Sequence, residues 1–81
     1  MDVRRRLGLN VKALRRDREL SQEGLAFESG LHRTYISGIE RGVRNPTVTI
    51  VEKIAIALEV PASRLLDEVQ APRRASGSKR R

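Results

Sequence analysis

The stretch SQEGLAFESGLHRTYISGIERG, residues 21–42, carries the strongest structural signal in this 81-residue chain. Its first residue, a serine, can cap a helix, and Gly30 can take the left-handed conformation with which a chain leaves a helix sharply. Gly42 can end a second helix in the same way. The stretch therefore predicts two short helices joined by a tight turn, which is the helix-turn-helix pattern: helix 2 from Gln22 to Ser29 and helix 3 from about Arg33 to Arg41.

Apolar residues on both sides of this stretch recur at helical spacing, and the alternation typical of a strand is absent. Helix 1 is predicted from the periodicity between about Val3 and Arg18, with its end near Glu19 or Leu20. Helix 4 is predicted from about Val48 to Leu58 behind the capping Thr47, and helix 5 from about Ala62 to Val69. The residues predicted to face the core are Leu7, Val11, Leu14, Leu25, Ala26, Phe27, Ile36, Ile39, Val48, Val51, Ile54, Ala55 and Leu58. The predicted fold class is all-α, a compact five-helix domain over residues 1–71.

The net charge of +7 is concentrated at the end of the chain. Residues 72–81, PRRASGSKRR, carry five basic residues and no acid, whereas residues 1–71 carry 12 basic and 10 acidic residues. We expect a disordered tail here. Its charge can attract phosphate regardless of nucleic-acid sequence, and the alternative is a solvated chain end with no partner. Phe27 and Tyr35 are the only aromatic residues, too few for the stacking platforms of single-strand and RNA binders. This composition favours duplex DNA as the partner.

Several functional classes are disfavoured by what the sequence lacks. Without cysteine and with a single histidine, His32, we expect no disulfide, no metal and no cofactor. No apolar run approaches the ~20 residues of a membrane helix, and no signal peptide is visible, so we expect no membrane partner and a cytoplasmic location. We find no Ser/His/acid set, paired catalytic carboxylates or phosphate-binding glycine loop, so the chain is not expected to be an enzyme.

Helix 3 carries outward residues that core packing does not explain, namely Arg33, Thr34, Ser37 and Arg41. In a helix-turn-helix the second helix enters the major groove, and residues near its start meet base edges. Arginine can donate two hydrogen bonds to guanine, and threonine can contact a thymine methyl group or a phosphate. The alternative is a solvated helix surface. Tyr35 either places its hydroxyl on a phosphate or packs against the domain.

Other polar residues flank this helix at both ends. Gln22, at the start of helix 2, can donate its amide to a phosphate, and Arg41, Arg44 and Asn45 can hold phosphates without reading sequence. Solvated surface charge is the alternative for all of them. Gly38 either lets DNA approach the helix closely or contacts nothing.

Residues from about Leu7 to Val60 resemble the Cro and cI repressor-type helix-turn-helix family, also called the Xre family. The matching segments, in order and at the family's spacing, are KALRR (12–16), LSQEGLA (20–26), Gly30, RTYISGIERG (33–42), RNPT (44–47) and IAIALEVP (54–61). The run HRTYISGIERGVRNPT (32–47) is most similar to the controller proteins of bacterial restriction–modification systems. The resemblance implies a lambda-repressor-like DNA-binding domain.

The resemblance also implies roles for individual residues. Arg15 and Glu40 match a structural ion pair that joins helix 1 to helix 3. Two positions depart from the family pattern: many members carry a longer side chain at position 38, and a capping Ser or Thr at position 32. For Gly38 this implies fewer direct base contacts and more weight on DNA shape. His32 either reaches DNA or is an exposed turn residue.

Regulators of this class bind palindromic sites as homodimers, because one helix reads only a few base pairs. Ile50 and Ile56 lie off the main apolar arc of helix 4, and helix 5 adds Leu65, Leu66 and Val69. We therefore expect a homodimer through helices 4 and 5; the alternative is that helix 5 folds back on helix 1.

The predicted function is that of a sequence-specific regulator of transcription, which binds a palindromic operator in double-stranded DNA with helix 3 in the major groove. The alternative is an antitoxin or a protein-bridging module, whose partner would be another protein or RNA polymerase.

Overall fold

The computed structural model describes residues 1–69, which form four α-helices and one 3₁₀ helix: α1 Val3–Asp17, α2 Gln22–Ser29, α3 Arg33–Glu40, α4 Val48–Leu58 and the 3₁₀ helix Ala62–Leu66. The all-α class is confirmed, and no strand occurs within these residues. The predicted fifth helix is corrected to a five-residue 3₁₀ helix that ends before Val69. The predicted tail, residues 72–81, lies outside the described residues.

Side chains cap α1, α2 and α4, and the caps at Ser21 and Thr47 are those that the sequence predicts. The Ser21 hydroxyl accepts a hydrogen bond from the Gly24 amide at 2.8 Å, and the Thr47 hydroxyl accepts one from the Ile50 amide at 3.2 Å. Asp2 caps α1 by accepting from the Arg4 amide at 2.7 Å. Each bond satisfies an amide that has no partner inside its own helix, and together the caps fix where the helices begin.

The core lies between the four helices and the 3₁₀ helix. Its buried apolar residues are Leu7, Val11, Leu14, Leu25, Ala26, Ile36, Ile39, Val51, Ile54, Ala55, Ala57, Leu58 and Leu65. Two residues predicted for the core are wrong: Phe27 is 88% exposed and Val48 is 84% exposed. Phe27 lies two residues from the buried Leu25, hence nearly opposite it on the helix. Val48 has the right helical phase but lies in the first turn of α4, beyond the edge of the core.

Helix α1 crosses α3 at very close range, and this contact holds α3 in place. A β-carbon built at Gly8 would overlap the carbonyl oxygen of Ile39 and lie 2.7 Å from that of Glu40. Only a glycine permits two helix backbones to approach so closely. The inner side of α3 is therefore fixed by backbone contact as well as by its buried isoleucines.

The ion pair that the family resemblance implies is present beside this crossing. The Arg15 guanidinium donates to both carboxylate oxygens of Glu40, at 2.6 and 3.0 Å, and to the Leu20 carbonyl at 2.7 Å. The side chains of Arg15 and Glu40 are only 10% and 4% exposed. Hydrogen bonding to Glu40 raises the pKa of Arg15 above its ordinary value, so the guanidinium stays charged.

Asn10 and Arg18 tie the C-terminal part of the domain to α1. The Asn10 side-chain amide donates to the carbonyls of Leu65 and Asp67, at 2.9 and 2.8 Å. Arg18 donates to the Ala57 carbonyl at 2.6 Å. The 3₁₀ helix therefore packs against α1 of its own chain, with Leu65 in the core and Leu66 partly exposed.

Candidate nucleic-acid interface

The outer side of α3 presents the residues that the sequence singles out at its start. Arg33 and Thr34 are exposed in the first turn, whereas Tyr35 and Ser37 are half-buried. Tyr35 packs partly against the core, as one of its two alternatives has it, and the contact of its hydroxyl with a phosphate stays a prediction. Arg41 follows the last residue of the helix and is exposed.

His32 has a structural role that the sequence alternatives did not include. Its ring nitrogen Nδ1 accepts a hydrogen bond from the Thr34 amide at 3.2 Å, so the histidine caps α3. The family usually carries Ser or Thr at this position. Histidine replaces it here as the hydrogen-bond acceptor, so the helix remains capped. The signal was available in the sequence, because position 32 immediately precedes the helix.

The loop after α3 turns back toward the helix. Gly42 has a φ of 77°, and the Val43 amide donates to the Gly38 carbonyl at 3.0 Å, which together form a Schellman motif. As a result the Arg44 guanidinium carbon lies 5.2 Å from the centre of the Tyr35 ring. This is a cation–π distance. Arg44 is therefore part of the outer surface of α3, although it belongs to a loop.

Gly38 lies directly beneath the Arg44 side chain. A β-carbon built at Gly38 would be 2.7 Å from Cγ and 3.0 Å from Nε of Arg44. Neither sequence alternative for Gly38 foresaw this contact, because it joins residues of different segments. The only hint in the sequence is the presence of glycine inside a helix, where it is unfavourable.

Gln22 lies between this surface and the buried ion pair. Its side-chain amide nitrogen donates to Glu40 Oε1 at 3.1 Å, so the carboxylate that holds Arg15 also holds Gln22. The second hydrogen of that amide remains for another acceptor. The phosphate contact predicted for Gln22 stays a prediction, with the side chain fixed in position by Glu40.

The charges of the outer surface are not neutralised within residues 1–69. The ion pairs in this part of the chain involve Arg4, Arg15, Arg18 and Arg64, and none involves Arg33, Arg41 or Arg44. Three arginines around one helix give a positive surface that attracts an anionic partner. No group of His, Cys, Asp or Glu suited to a metal ion is present in the described part of the chain.

An apolar groove borders this surface at the start of α4. The groove is lined by two polar residues, Arg4 and Asn45, and by the apolar residues Val3, Leu7, Pro46, Val48, Val51 and Leu66. Of the two residues expected at the dimer seam of helix 4, Ile50 is half-buried and Ile56 is exposed. The exposed apolar residues thus fall at both ends of α4. None of the helices within residues 1–69 is long and apolar enough to cross a membrane.

Comparison with known proteins supports this geometry. A family model described as HTH_3, helix-turn-helix, matches residues 11–65. The control protein C.BamHI of Bacillus amyloliquefaciens is 49% identical over 67 residues, covering 82% of this chain and 83% of that protein. The restriction-modification controller protein C.AhdI from Aeromonas hydrophila matches with a TM-score of 0.75 and 42% identity, over 76% of this chain and 94% of that one.

A third match is a protein bound to DNA. The controller protein C.Esp1396I, solved as a tetramer in complex with its natural 35 base-pair operator, gives a TM-score of 0.74 and 38% identity, over 80% of this chain and 86% of that one. The resemblance to restriction–modification controller proteins is thereby confirmed. This chain belongs to the helix-turn-helix family HTH_3, among DNA-binding regulators of transcription.

Proposed function

We propose that this protein is a sequence-specific regulator of transcription that inserts α3 into the major groove of an operator. The observation that carries the proposal is the contrast on α3 itself: Arg33 and Thr34 are exposed at its start, while its inner side is locked to α1. A rigid inner side holds the exposed side chains at a fixed distance from the DNA. The operator complex of C.Esp1396I supports the same use of the fold.

Residues of this surface divide into base and phosphate contacts. Arg33 is proposed to bind a guanine through two hydrogen bonds, with Thr34 and Ser37 contacting neighbouring bases or the backbone. The proposed phosphate contacts are Gln22, Tyr35, Arg41, Arg44 and Asn45. Phosphate contacts set the position of the protein, and base contacts choose the sequence.

A homodimer on a palindromic site is the second part of the proposal. The apolar groove at the start of α4 supplies a candidate seam, because Val48, Val3 and Leu66 are all substantially exposed there. A two-fold contact through such a groove would repeat α3 at two places along one duplex. Leu65, which the sequence assigned to the seam, is buried in its own chain and contributes to the core instead.

The seam can be tested at both ends of α4. Val48→Asp is expected to dissociate the dimer, since it places a charge in the groove. Aspartate is well tolerated in the first turn of a helix, so folding should be retained. Ile56→Asp, at the other end of α4, is the matched control. Sedimentation would show monomers for Val48→Asp and dimers for Ile56→Asp; the reverse result would move the seam to Ile56.

The DNA-binding function is tested by selection from a random duplex pool at near-physiological salt, with excess nonspecific competitor. A second form truncated after Ala71 is run in parallel. Enrichment of one palindrome by both forms is expected. If no motif is enriched and binding disappears on truncation, the tail is supplying plain phosphate attraction. Co-purification of a small partner protein would then favour the antitoxin or bridging function.

A further inference from the structure

We infer that Gly38 is a positioning residue for DNA binding: it leaves the surface of α3 bare so that Arg44 can lie across the helix. This inference rests on the proposed DNA-binding function and names a residue that acts through another. Gly38 would itself contact no DNA. Its effect would be to fix the position of the Arg44 guanidinium before DNA binds.

The geometry leaves no space for a side chain at position 38. A β-carbon there would be 2.7 Å from Arg44 Cγ, 3.0 Å from Nε and 3.4 Å from Cδ. The first of these separations is shorter than van der Waals contact allows, and it involves the middle of the arginine side chain rather than its tip. Any residue other than glycine would push the whole Arg44 side chain away from the helix.

Arg44 is held at its other end by Tyr35. The guanidinium carbon lies 5.2 Å from the centre of the tyrosine ring, and the ring is half-buried against the core. Arg44 thus lies along α3 from position 38 to position 35, about one turn of helix. Within residues 1–69 its guanidinium has no acidic partner, so its charge remains available for a phosphate.

A preplaced arginine binds phosphate more tightly than a free one. A long side chain that is already ordered loses less conformational freedom on binding. The glycine is unfavourable for the helix, and alanine in its place would favour helix formation. Gly38→Ala should therefore weaken DNA binding while leaving the fold about as stable as before, because the gain in helix propensity offsets the loss of the Arg44–Tyr35 contact.

The decisive experiment is a double-mutant cycle on the operator duplex obtained by the selection above. Gly38→Ala, Arg44→Ala and the double variant are compared by their Kd values at fixed salt, alongside thermal unfolding. Each single variant is expected to lose about tenfold in affinity, the loss typical of one charged hydrogen bond. The double variant should lose no more than Arg44→Ala alone. Gly38→Ala should melt no lower than the wild type.

Arg41→Ala serves as the matched control, since it removes another arginine at the end of α3. In that background Gly38→Ala should again cost about tenfold, because Arg44 is still present to be displaced. If Gly38→Ala weakens binding equally with and without Arg44, the inference is overturned, and glycine is needed because DNA itself approaches α3. Unchanged binding in Gly38→Ala also overturns it.

NMR separates failure of this inference from failure of the proposed function. In the free wild type, Arg44 side-chain protons should be shifted upfield by the ring of Tyr35, and Gly38→Ala should abolish that shift. If the shift is present but no duplex is selected, the proposed function fails and the role of Gly38 in DNA binding fails with it. If DNA is selected but the shift is absent, only the inference about Gly38 is lost.

Discussion

The two sides of α3 are built by different means. On the inner side, α1 touches the helix backbone at Gly8, and the Arg15–Glu40 pair is almost fully buried. On the outer side, Arg33 and Thr34 are exposed, and the close contact at Gly38 is with the side chain of Arg44. Substitutions on the inner side should therefore lower the stability of the fold, and substitutions on the outer side should lower the affinity for DNA.

The largest effect is expected from Arg15→Ala. It strands the Glu40 carboxylate in a buried site, and removing one partner of such a pair costs about 3–5 kcal/mol of unfolding free energy. Urea denaturation measures this loss. Arg16→Ala, at the neighbouring exposed position of α1, should change stability by less than about 0.5 kcal/mol. Similar losses in both variants would mean that the buried pair contributes no more than a surface charge.

A pair of glycine substitutions gives the most direct test of the difference between the inner and outer sides of α3. Gly8→Ala should destabilise the fold by about 1–3 kcal/mol, because the new methyl group meets the backbone carbonyls of Ile39 and Glu40, which cannot move without separating α1 from α3. Gly38→Ala makes the same chemical change on the outer side and should not destabilise. Helix propensity predicts that both variants are stabilised. Urea titration of the two variants measures their free energies of unfolding. Stabilisation of Gly8→Ala would contradict the close crossing of α1 and α3.

Local patterns in the sequence were sufficient for the helix-turn-helix itself. The bounds of α2 match the prediction, because Ser21 and Gly30 mark both ends by their own chemistry. Helix α1 ends at Asp17, two or three residues before the predicted end near Glu19 or Leu20, and α3 ends at Glu40, one residue earlier than predicted. Such ends depend on the turn that follows, and α1 is followed by Glu19 with a left-handed φ of 58°.

Features that depend on contacts between distant residues were less predictable. Periodicity placed Val48 on the correct face of α4. It could not show that the buried part of that face begins one turn later, at Val51. The position of the Arg44 side chain depends on the turn at Gly42 and on the missing side chain at Gly38. The periodicity of a single helix cannot predict a contact between these segments. The Arg15–Glu40 pair was available only through family resemblance, since the two residues are 25 positions apart.

On the outer side, Arg33→Ala should have the strongest effect on binding. Loss of a bidentate guanine contact costs about 1–3 kcal/mol of binding free energy, about fivefold to 150-fold in Kd, with stability unchanged. Kd is measured on the selected operator and on a duplex altered at the contacted base. Arg33→Lys keeps the charge but not the paired donors, so it should bind nearly as poorly. Equal losses by Arg33→Ala on the operator and on the altered duplex would show that Arg33 contacts phosphate and not a base.

The smallest expected effect concerns His32, which stands at the boundary between the two sides. Its ring accepts the Thr34 amide, so His32→Ala should lower stability by about 0.5 kcal/mol through loss of a helix cap. His32→Asn supplies a stronger capping oxygen and should restore or exceed wild-type stability. Because the capping role faces the helix backbone, both variants should bind the operator with nearly the wild-type Kd. Thermal unfolding and operator titration of the two variants together distinguish the roles: weakened binding by the well-capped asparagine variant would place His32 among the DNA-contacting residues of the outer side.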